Sequence, residues 1–283
     1  MNTHPLITAV ELSTLLSDPS SAPVVLDVRW SGPGSANGRT AFQDGHVPGA
    51  HFVDLETVLA EPAGEGGGGR HPLPAPERFE SGMRSAGVTA ERPVVVYDNW
   101  KSIAASRAWW LLRHFGHDDV RVLDGGWGAW QTAGFPVETG PNEGVEVGAF
   151  EASEPRLAAI DADAAGRIAA AGTLIDGRPA NRFRGEDETV DPVAGHIPGA
   201  KSLPATELVS ADGTFLPAAQ LRERFASLGI DGSAPAASYC GSGVQACHVA
   251  LAAAVAGVTD DLGLYAGSWS DWITDPSRPV ATG

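Results

Sequence analysis

The chain has 283 residues, long enough for one large or two ordinary domains. It is 43 % hydrophobic and 19 % charged, the composition of a soluble globular protein, and its formal net charge of −16 speaks against nucleic acid as a main partner. Two cysteines exclude a disulfide framework and fit a reducing compartment, so a cytoplasmic location is expected. Met1 to Pro5 has no basic region leading into an apolar run, so no secretory signal is expected. No apolar stretch of roughly 18 residues occurs, so neither a membrane span nor a membrane partner is expected.

In chain order, Val24-Val25-Leu26-Asp27-Val28-Arg29 is a continuous apolar run ending in charge, the pattern of a buried parallel strand. A Gly/Ser loop follows, then Phe42 and Asp44-Gly45-His46-Val47-Pro48-Gly49-Ala50, then a short apolar segment over His51 to Leu55. Residues 60–76, rich in Gly and Pro with glycine from Gly66 to Gly69, predict a long surface loop. Pro93 to Asp98 predicts a second strand, Ser102 to His114 a helix carrying Trp109-Trp110-Leu111-Leu112, and Val120 to Asp124 a third strand stopped by Gly125-Gly126. Strands alternating with helices predict an α/β fold, a parallel sheet with helices on both faces.

The next stretch is rich in Gly, Pro and Glu and predicts an interdomain linker over 139–155, between domains at 1–138 and 156–283. Beyond it the first pattern returns. Leu174-Ile175-Asp176-Gly177-Arg178 echoes Leu26 to Arg29, and Gly195-His196-Ile197-Pro198-Gly199-Ala200 echoes Gly45 to Ala50. Trp269-Ser270-Asp271-Trp272 echoes Trp127-Gly128-Ala129-Trp130. The spacing is 150 residues from His46 to His196, 149 from Asp27 to Asp176 and 142 from Trp130 to Trp272. A period that long means two copies of a whole α/β domain rather than a solenoid. His46 and His196 recur in both copies and are expected to be structural.

Tyr239-Cys240-Gly241-Ser242-Gly243-Val244-Gln245-Ala246 distinguishes the second copy. It joins the end of a strand to an Ala/Val-rich helix over 244–256, closed by Gly257. Glycines at 241 and 243 let loop N–H groups turn inward, and the N–H groups of a first helical turn, with the helix dipole, favour an anion. Cys240 in that cradle is the expected nucleophile, whereas Cys247, one turn into the helix, is expected to fill core. The equivalent position of the first copy holds Asp98, so thiol chemistry belongs to the second copy alone.

The paired Gly-His-Ile/Val-Pro-Gly-Ala segments, an Asp-x-Arg strand end in each half and the single cysteine loop resemble the two-domain rhodanese-type sulfurtransferases. The likeness runs from about Val24 to Gly283. It implies tandem rhodanese-like domains and no cofactor or metal. Thiosulfate-using members tend to carry two basic residues directly after the cysteine. Here those places are Gly241 and Ser242, similar to the members that use 3-mercaptopyruvate. The resemblance therefore implies that Cys240 takes the sulfur of 3-mercaptopyruvate as a persulfide, releases pyruvate, and passes the sulfur to cyanide or to a thiol such as a thioredoxin-like protein. It implies catalytic roles for Cys240, Ser242, His71 and Glu56, the last three as a proton relay, with Asp54 the alternative to Glu56. It implies that the substrate carboxylate meets Arg178, helped by Arg182 or Arg184, and that Gly241, Gly243, Val244 and Gln245 line the loop. Gln245 departs from the family, which usually has a small residue there. Three alternatives remain beside this reading: a thiosulfate sulfurtransferase, a non-catalytic persulfide carrier, and a phosphatase on a similar fold, whose loop would need an arginine that Val244-Gln245-Ala246 lacks.

Overall fold

The computed structural model describes residues 4–30, 32, 37–64, 68–142, 147–231 and 234–283. Most of the expected Gly/Ser loop after Arg29, and Gly66 and Gly67 of the expected glycine loop, lie outside these residues. The chain forms two compact units: Met1–Glu61 with Pro74–Arg156 and Ser210–Phe215, and Pro62–Leu73 with Leu157–Val209 and Leu216–Gly283.

In the first unit the elements are β1 (Leu6–Ile7), α1 (Ala9–Leu16), β2 (Val24–Asp27), α2 (Asn37–Asp44), β3 (His51–Phe52), α3 (Pro76–Ser85), β4 (Val94–Tyr97), α4 (Ile103–His114), β5 (Val120–Leu123) and α5 (Gly126–Thr132). The five strands are parallel in the order β1-β5-β4-β2-β3. Their apolar runs have a simple cause. Both faces of a parallel sheet are covered, so Val24, Val25 and Leu26 of β2 and Val94, Val95 and Val96 of β4 are all buried. Full burial of one such side chain is worth about 1.5–3 kcal/mol. α1 starts in a capping box, with Thr8 accepting the Glu11 N–H and Glu11 accepting the Thr8 N–H.

The second unit contains α6 (Ala162–Ala171), β6 (Thr173–Asp176), α7 (Ala180–Arg184), β7 (Lys201–Ser202), α8 (Ala218–Ser227), β8 (Ala236–Tyr239), α9 (Val244–Val255), β9 (Gly263–Leu264) and α10 (Ser268–Trp272). Its parallel sheet runs β7-β6-β8-β9, matching β3-β2-β4-β5 of the first unit. Where the first unit has β1, the second has only a parallel bridge from Ala159 to Leu264. Among the described residues no helix is long and apolar enough to cross a membrane.

The repeat extends to details. His46 and His196 stack on Phe42 and Phe183 at 3.8 and 3.7 Å between ring centres, and their Nδ1 atoms lie 2.8 and 2.7 Å from the carbonyl oxygens of the same two residues. Trp130 and Trp272 donate their indole N–H to the carbonyls of Pro136 and Pro279.

The expected boundaries need two corrections. The segment expected to be a free linker, 139–155, is largely part of the first unit. The N–H groups of Gly148, Phe150 and Ser153 bond to the carbonyls of Arg84, Val88 and Phe115, and Phe150 is buried edge-on to Phe79. Conversely Pro62–Leu73, expected with the first domain, belongs to the second unit, and Ser210–Phe215 to the first.

Candidate active site

Cys240 directly follows β8, the strand paired to both β6 and β9, so the centre of the sheet sets its position. The Cys240 and Gly241 carbonyls accept the N–H groups of Trp269 and Ser270, which ties the loop to α10. Its own N–H donates to Ser268 Oγ at 3.0 Å. The Gly243 N–H donates to Cys240 Sγ at 3.1 Å, so sulfur sits where a capping side chain would at the start of α9. Gly243 has φ +83°, and a Cβ there would fall 2.4 Å from the Ala266 carbonyl oxygen, so glycine is required. Val244 is buried and Gln245 half-buried in the first turn of α9. Cys247 is buried and donates to the Gly243 carbonyl, a packing role.

The first unit shows what this cradle holds. Asp98 follows β4 as Cys240 follows β8, and its carboxylate accepts N–H groups from Trp100, Ser102 and Ala105 at 2.7, 2.9 and 2.8 Å. Complete burial pushes that carboxyl above its ordinary range, with the loop N–H groups pulling the other way. One copy of the loop thus receives carboxylate oxygens, and the other receives sulfur.

His71 lies within the second unit, buried, with Nδ1 2.8 Å from Ser242 Oγ. The segment carrying it is fixed on α10: the Gly68 N–H donates to Asp271 Oδ1 at 2.7 Å and the Arg70 N–H to Ser270 Oγ at 3.1 Å. Glu56 lies in the first unit, where Oε1 accepts the Trp30 indole N–H at 2.8 Å. Asp54 Oδ1 accepts the Glu56 and Thr57 N–H groups and closes its own turn.

Arg178, expected to meet a substrate carboxylate, is engaged with carboxylates of the protein itself. The side chain is completely buried. Its Nε lies 3.1 Å from both Asp176 oxygens, its Nη2 bonds Asp176 Oδ2 at 2.6 Å and the Gly195 carbonyl at 2.7 Å, and its Nη1 lies 3.8 Å from Glu188. The guanidinium stacks over Trp269, 4.9 Å from the ring centre. Burial works against its charge and Asp176 more than restores it, holding the group above its ordinary range. Apart from the Glu188 contact, Arg29 repeats this arrangement in the unit without a cysteine, with Asp27, the Gly45 carbonyl and Trp127 as partners. A feature present in both copies, one of them without a cysteine, fits a staple within each domain.

Arg182, on α7, is placed differently. Its Nε bonds Glu188 Oε2 at 2.9 Å and its Nη2 bonds Asp191 Oδ2 at 2.7 Å, while Nη1 lies 3.6 Å from where a Cβ on Gly241 would stand. Burial opposes ionisation of Glu188, and hydrogen bonds from Arg182 and from the Asp191 and Val190 amides outweigh it, so its carboxyl sits below the usual range. Arg184 pairs with Glu186 on the surface.

Three residues of this site leave little or no mark in the sequence. Arg70 and Asp191 meet beside the loop, and Arg70 had one signal, its place directly before His71. Ser268 is buried at φ +56°, the conformation of Gly126 in the first copy, and touches Cys240 through its hydroxyl. A serine held where its counterpart is glycine carries backbone strain, here directly against the cysteine loop.

The arrangement is one of a sulfur nucleophile at a helix N-terminus with a hydroxyl–imidazole pair beside it: the class is a thiol-dependent group-transfer enzyme. Comparison with known proteins agrees. The family model described as "Rhodanese-like domain" matches residues 8–133 and 161–275. A probable 3-mercaptopyruvate sulfurtransferase of Pseudomonas aeruginosa is 43 % identical over 290 residues, covering 100 % of both chains. A putative thiosulfate sulfurtransferase of Mycobacterium tuberculosis is 43 % identical, covering 98 % of this chain and 97 % of its own. The crystal structure of the 3-mercaptopyruvate enzyme SseA from Escherichia coli superposes with a TM-score of 0.81 at 34 % identity, covering 95 % of this chain and 100 % of that one. The chain belongs to the rhodanese-like family, as a two-domain member with one cysteine loop, and is a sulfurtransferase.

Proposed function

We propose that this sulfurtransferase takes its sulfur from 3-mercaptopyruvate, stores it as a persulfide on Cys240, releases pyruvate and hands the sulfur to a small or protein thiol, such as a thioredoxin-like protein, or to cyanide. Relatives of equal identity carry the names of both donors, so the choice rests on the site itself. The observation that carries it is the 2.8 Å hydrogen bond between Ser242 Oγ and His71 Nδ1, two residues from the nucleophile.

The Cys240 thiolate attacks the donor's sulfur. A sulfur–sulfur bond forms, the carbon–sulfur bond breaks, and its electron pair leaves on carbon as the enolate of pyruvate. That carbon must gain one proton to become the methyl group of pyruvate. Ser242 donates it, and His71 restores the hydroxyl proton. Thiosulfate cleavage leaves sulfite, which needs no proton on carbon. In the second step the acceptor thiolate attacks the outer sulfur and the Cys240 thiolate returns. The Gly243 N–H and the first turn of α9 stabilise the anionic sulfur in both steps. Neutral Gly241 and Ser242 leave no cation directly after the cysteine to favour a compact dianion. The two cysteines are both free thiols, which suits the reducing cytoplasm. The test compares kcat/KM for 3-mercaptopyruvate and thiosulfate with cyanide as common acceptor. The proposal expects the first to be at least tenfold larger, and a preference for thiosulfate overturns it.

A further inference from the structure

We infer that Asp271 is a positioning residue for proton delivery: it holds the segment from Gly68 to His71 so that the imidazole meets Ser242. The inference rests on the proton path proposed above and adds the group that sets it.

The internal repeat isolates the residues concerned. α5 opens with Gly126-Trp127-Gly128-Ala129-Trp130, and 142 residues later α10 reads Ser268-Trp269-Ser270-Asp271-Trp272. The tryptophans are shared and serve both units alike: Trp127 and Trp269 lie under an arginine, and Trp130 and Trp272 donate to a proline carbonyl. The other three positions change from Gly, Gly and Ala to Ser, Ser and Asp. Each new side chain accepts a backbone N–H of the site. Ser268 Oγ takes that of Cys240 at 3.0 Å, Ser270 Oγ that of Arg70 at 3.1 Å, and Asp271 Oδ1 that of Gly68 at 2.7 Å. The first unit builds the same helix without any of them, so the fold does not require them.

A fourth change completes the support. Where the first unit has the buried Leu123, the second has Tyr265. The Tyr265 ring is buried, its N–H donates to the Ser238 carbonyl of β8 at 2.9 Å, and its hydroxyl donates to Asp271 Oδ2 at 2.6 Å. Burial, then the hydrogen bond and charge of Asp271, push the phenol above its ordinary range, so it stays a donor. The two oxygens of Asp271 are thus divided between a side chain rooted in the sheet and the segment that carries His71. A hydrogen bond to an ionised acceptor is about twice as strong as a neutral one, so Asp271 is a firmer hold than the Ser270 hydroxyl.

The contact is also close. A Cβ on Gly69, at φ +76°, would fall 2.3 Å from the Gly267 carbonyl oxygen, and a Cβ on Gly267 would fall 2.6 Å from Asp271 Oδ2. With the amides on both sides of Gly69 fixed, His71 follows directly and its Nδ1 lies 2.8 Å from Ser242 Oγ. Misplacing a reacting group by about 1 Å can cost on the order of a hundredfold in rate.

The test uses Asp271→Ala, which installs the first unit's residue, with Asp271→Asn and Tyr265→Phe, all in the full-length protein and with circular dichroism as the fold control. Peptide-mass spectrometry reads how fast diethyl pyrocarbonate modifies His71, which is buried in the parent. The proposal expects that rate to rise severalfold in Asp271→Ala. It expects kcat for 3-mercaptopyruvate to fall at least about tenfold, with turnover of thiosulfate and alkylation of Cys240 by iodoacetamide changed far less. Asp271→Asn keeps an acceptor for the Gly68 N–H and offers an N–H that the Tyr265 hydroxyl can accept, so it is expected to recover most of the rate. Tyr265→Phe is expected to fall between. On a His71→Ala background, Asp271→Ala is expected to add no more than about twofold, because the group it places is gone. An undiminished loss on that background, or an unchanged His71 modification rate in folded Asp271→Ala, overturns the proposal. If His71→Ala alone leaves turnover of 3-mercaptopyruvate unchanged, the proton path falls, while the modification rate still decides whether Asp271 places His71.

Discussion

Replacing Arg178 by methionine separates a structural arginine from a substrate-binding one. The substitution keeps much of the side chain's volume and removes three contacts to Asp176 and one to the Gly195 carbonyl. It leaves Asp176 as a buried carboxylate without its cation, and breaking such a pair costs about 3–5 kcal/mol. Domains of this kind have about 5–15 kcal/mol in all, so the second unit loses a large share of its stability. Urea unfolding monitored by fluorescence reads the loss, with Trp269 and Trp272 as reporters in that unit. Arg29→Met is expected to cost the first unit a similar amount, although that unit has no cysteine. Adding Asp176→Asn to Arg178→Met is expected to recover part of the loss, because the stranded charge is removed. A loss below about 1 kcal/mol in Arg178→Met, together with a tenfold rise in KM for 3-mercaptopyruvate, would refute the structural assignment and return Arg178 to the substrate.

Two further outcomes follow from the site. His71→Ala is expected to slow turnover of 3-mercaptopyruvate on the order of a hundredfold and any turnover of thiosulfate far less, because only the enolate needs a proton; equal effects on both donors in steady-state assays would remove His71 from proton transfer. Gly243→Ala puts a Cβ 2.4 Å from the Ala266 carbonyl oxygen at φ +83°, so it is expected to cost at least about 2 kcal/mol and most of the activity; a variant as stable and active as the parent in thermal melts and donor assays would show that the loop tolerates a shift.

Much of the fold could be read from the chain because parallel strands covered on both faces leave unbroken apolar runs. Val24 to Asp27, Val94 to Tyr97 and Val120 to Leu123 are strands within a residue or two of expectation, as α9 is a helix. The membership of Pro62–Leu73 left no such trace. That segment is held by the amides of Gly68 and Arg70 on Asp271 and Ser270, and backbone donors write no pattern in the sequence. Of the site, Cys240 was legible from its strand–glycine–helix setting, and the pairing of His71 with Ser242 follows the family resemblance. The engagement of Arg178 with Asp176 was also legible: Arg29 repeats it, and the repeat argument that makes His46 and His196 structural applies equally to Asp-x-Arg. Arg70 and Asp191 stayed hidden because they are 121 residues apart and their partnership exists only after folding.

The central claim is that sulfur passes through Cys240. It is tested most directly by intact-mass and peptide-mass spectrometry after a single exposure to 3-mercaptopyruvate without acceptor. The account predicts a gain of one sulfur atom located on Cys240, one pyruvate released per gain, loss of that sulfur on adding a thiol, and no gain in Cys240→Ser, with Cys247→Ser behaving as the parent. A gain that persists in Cys240→Ser, or pyruvate released with no sulfur on the protein, would contradict it.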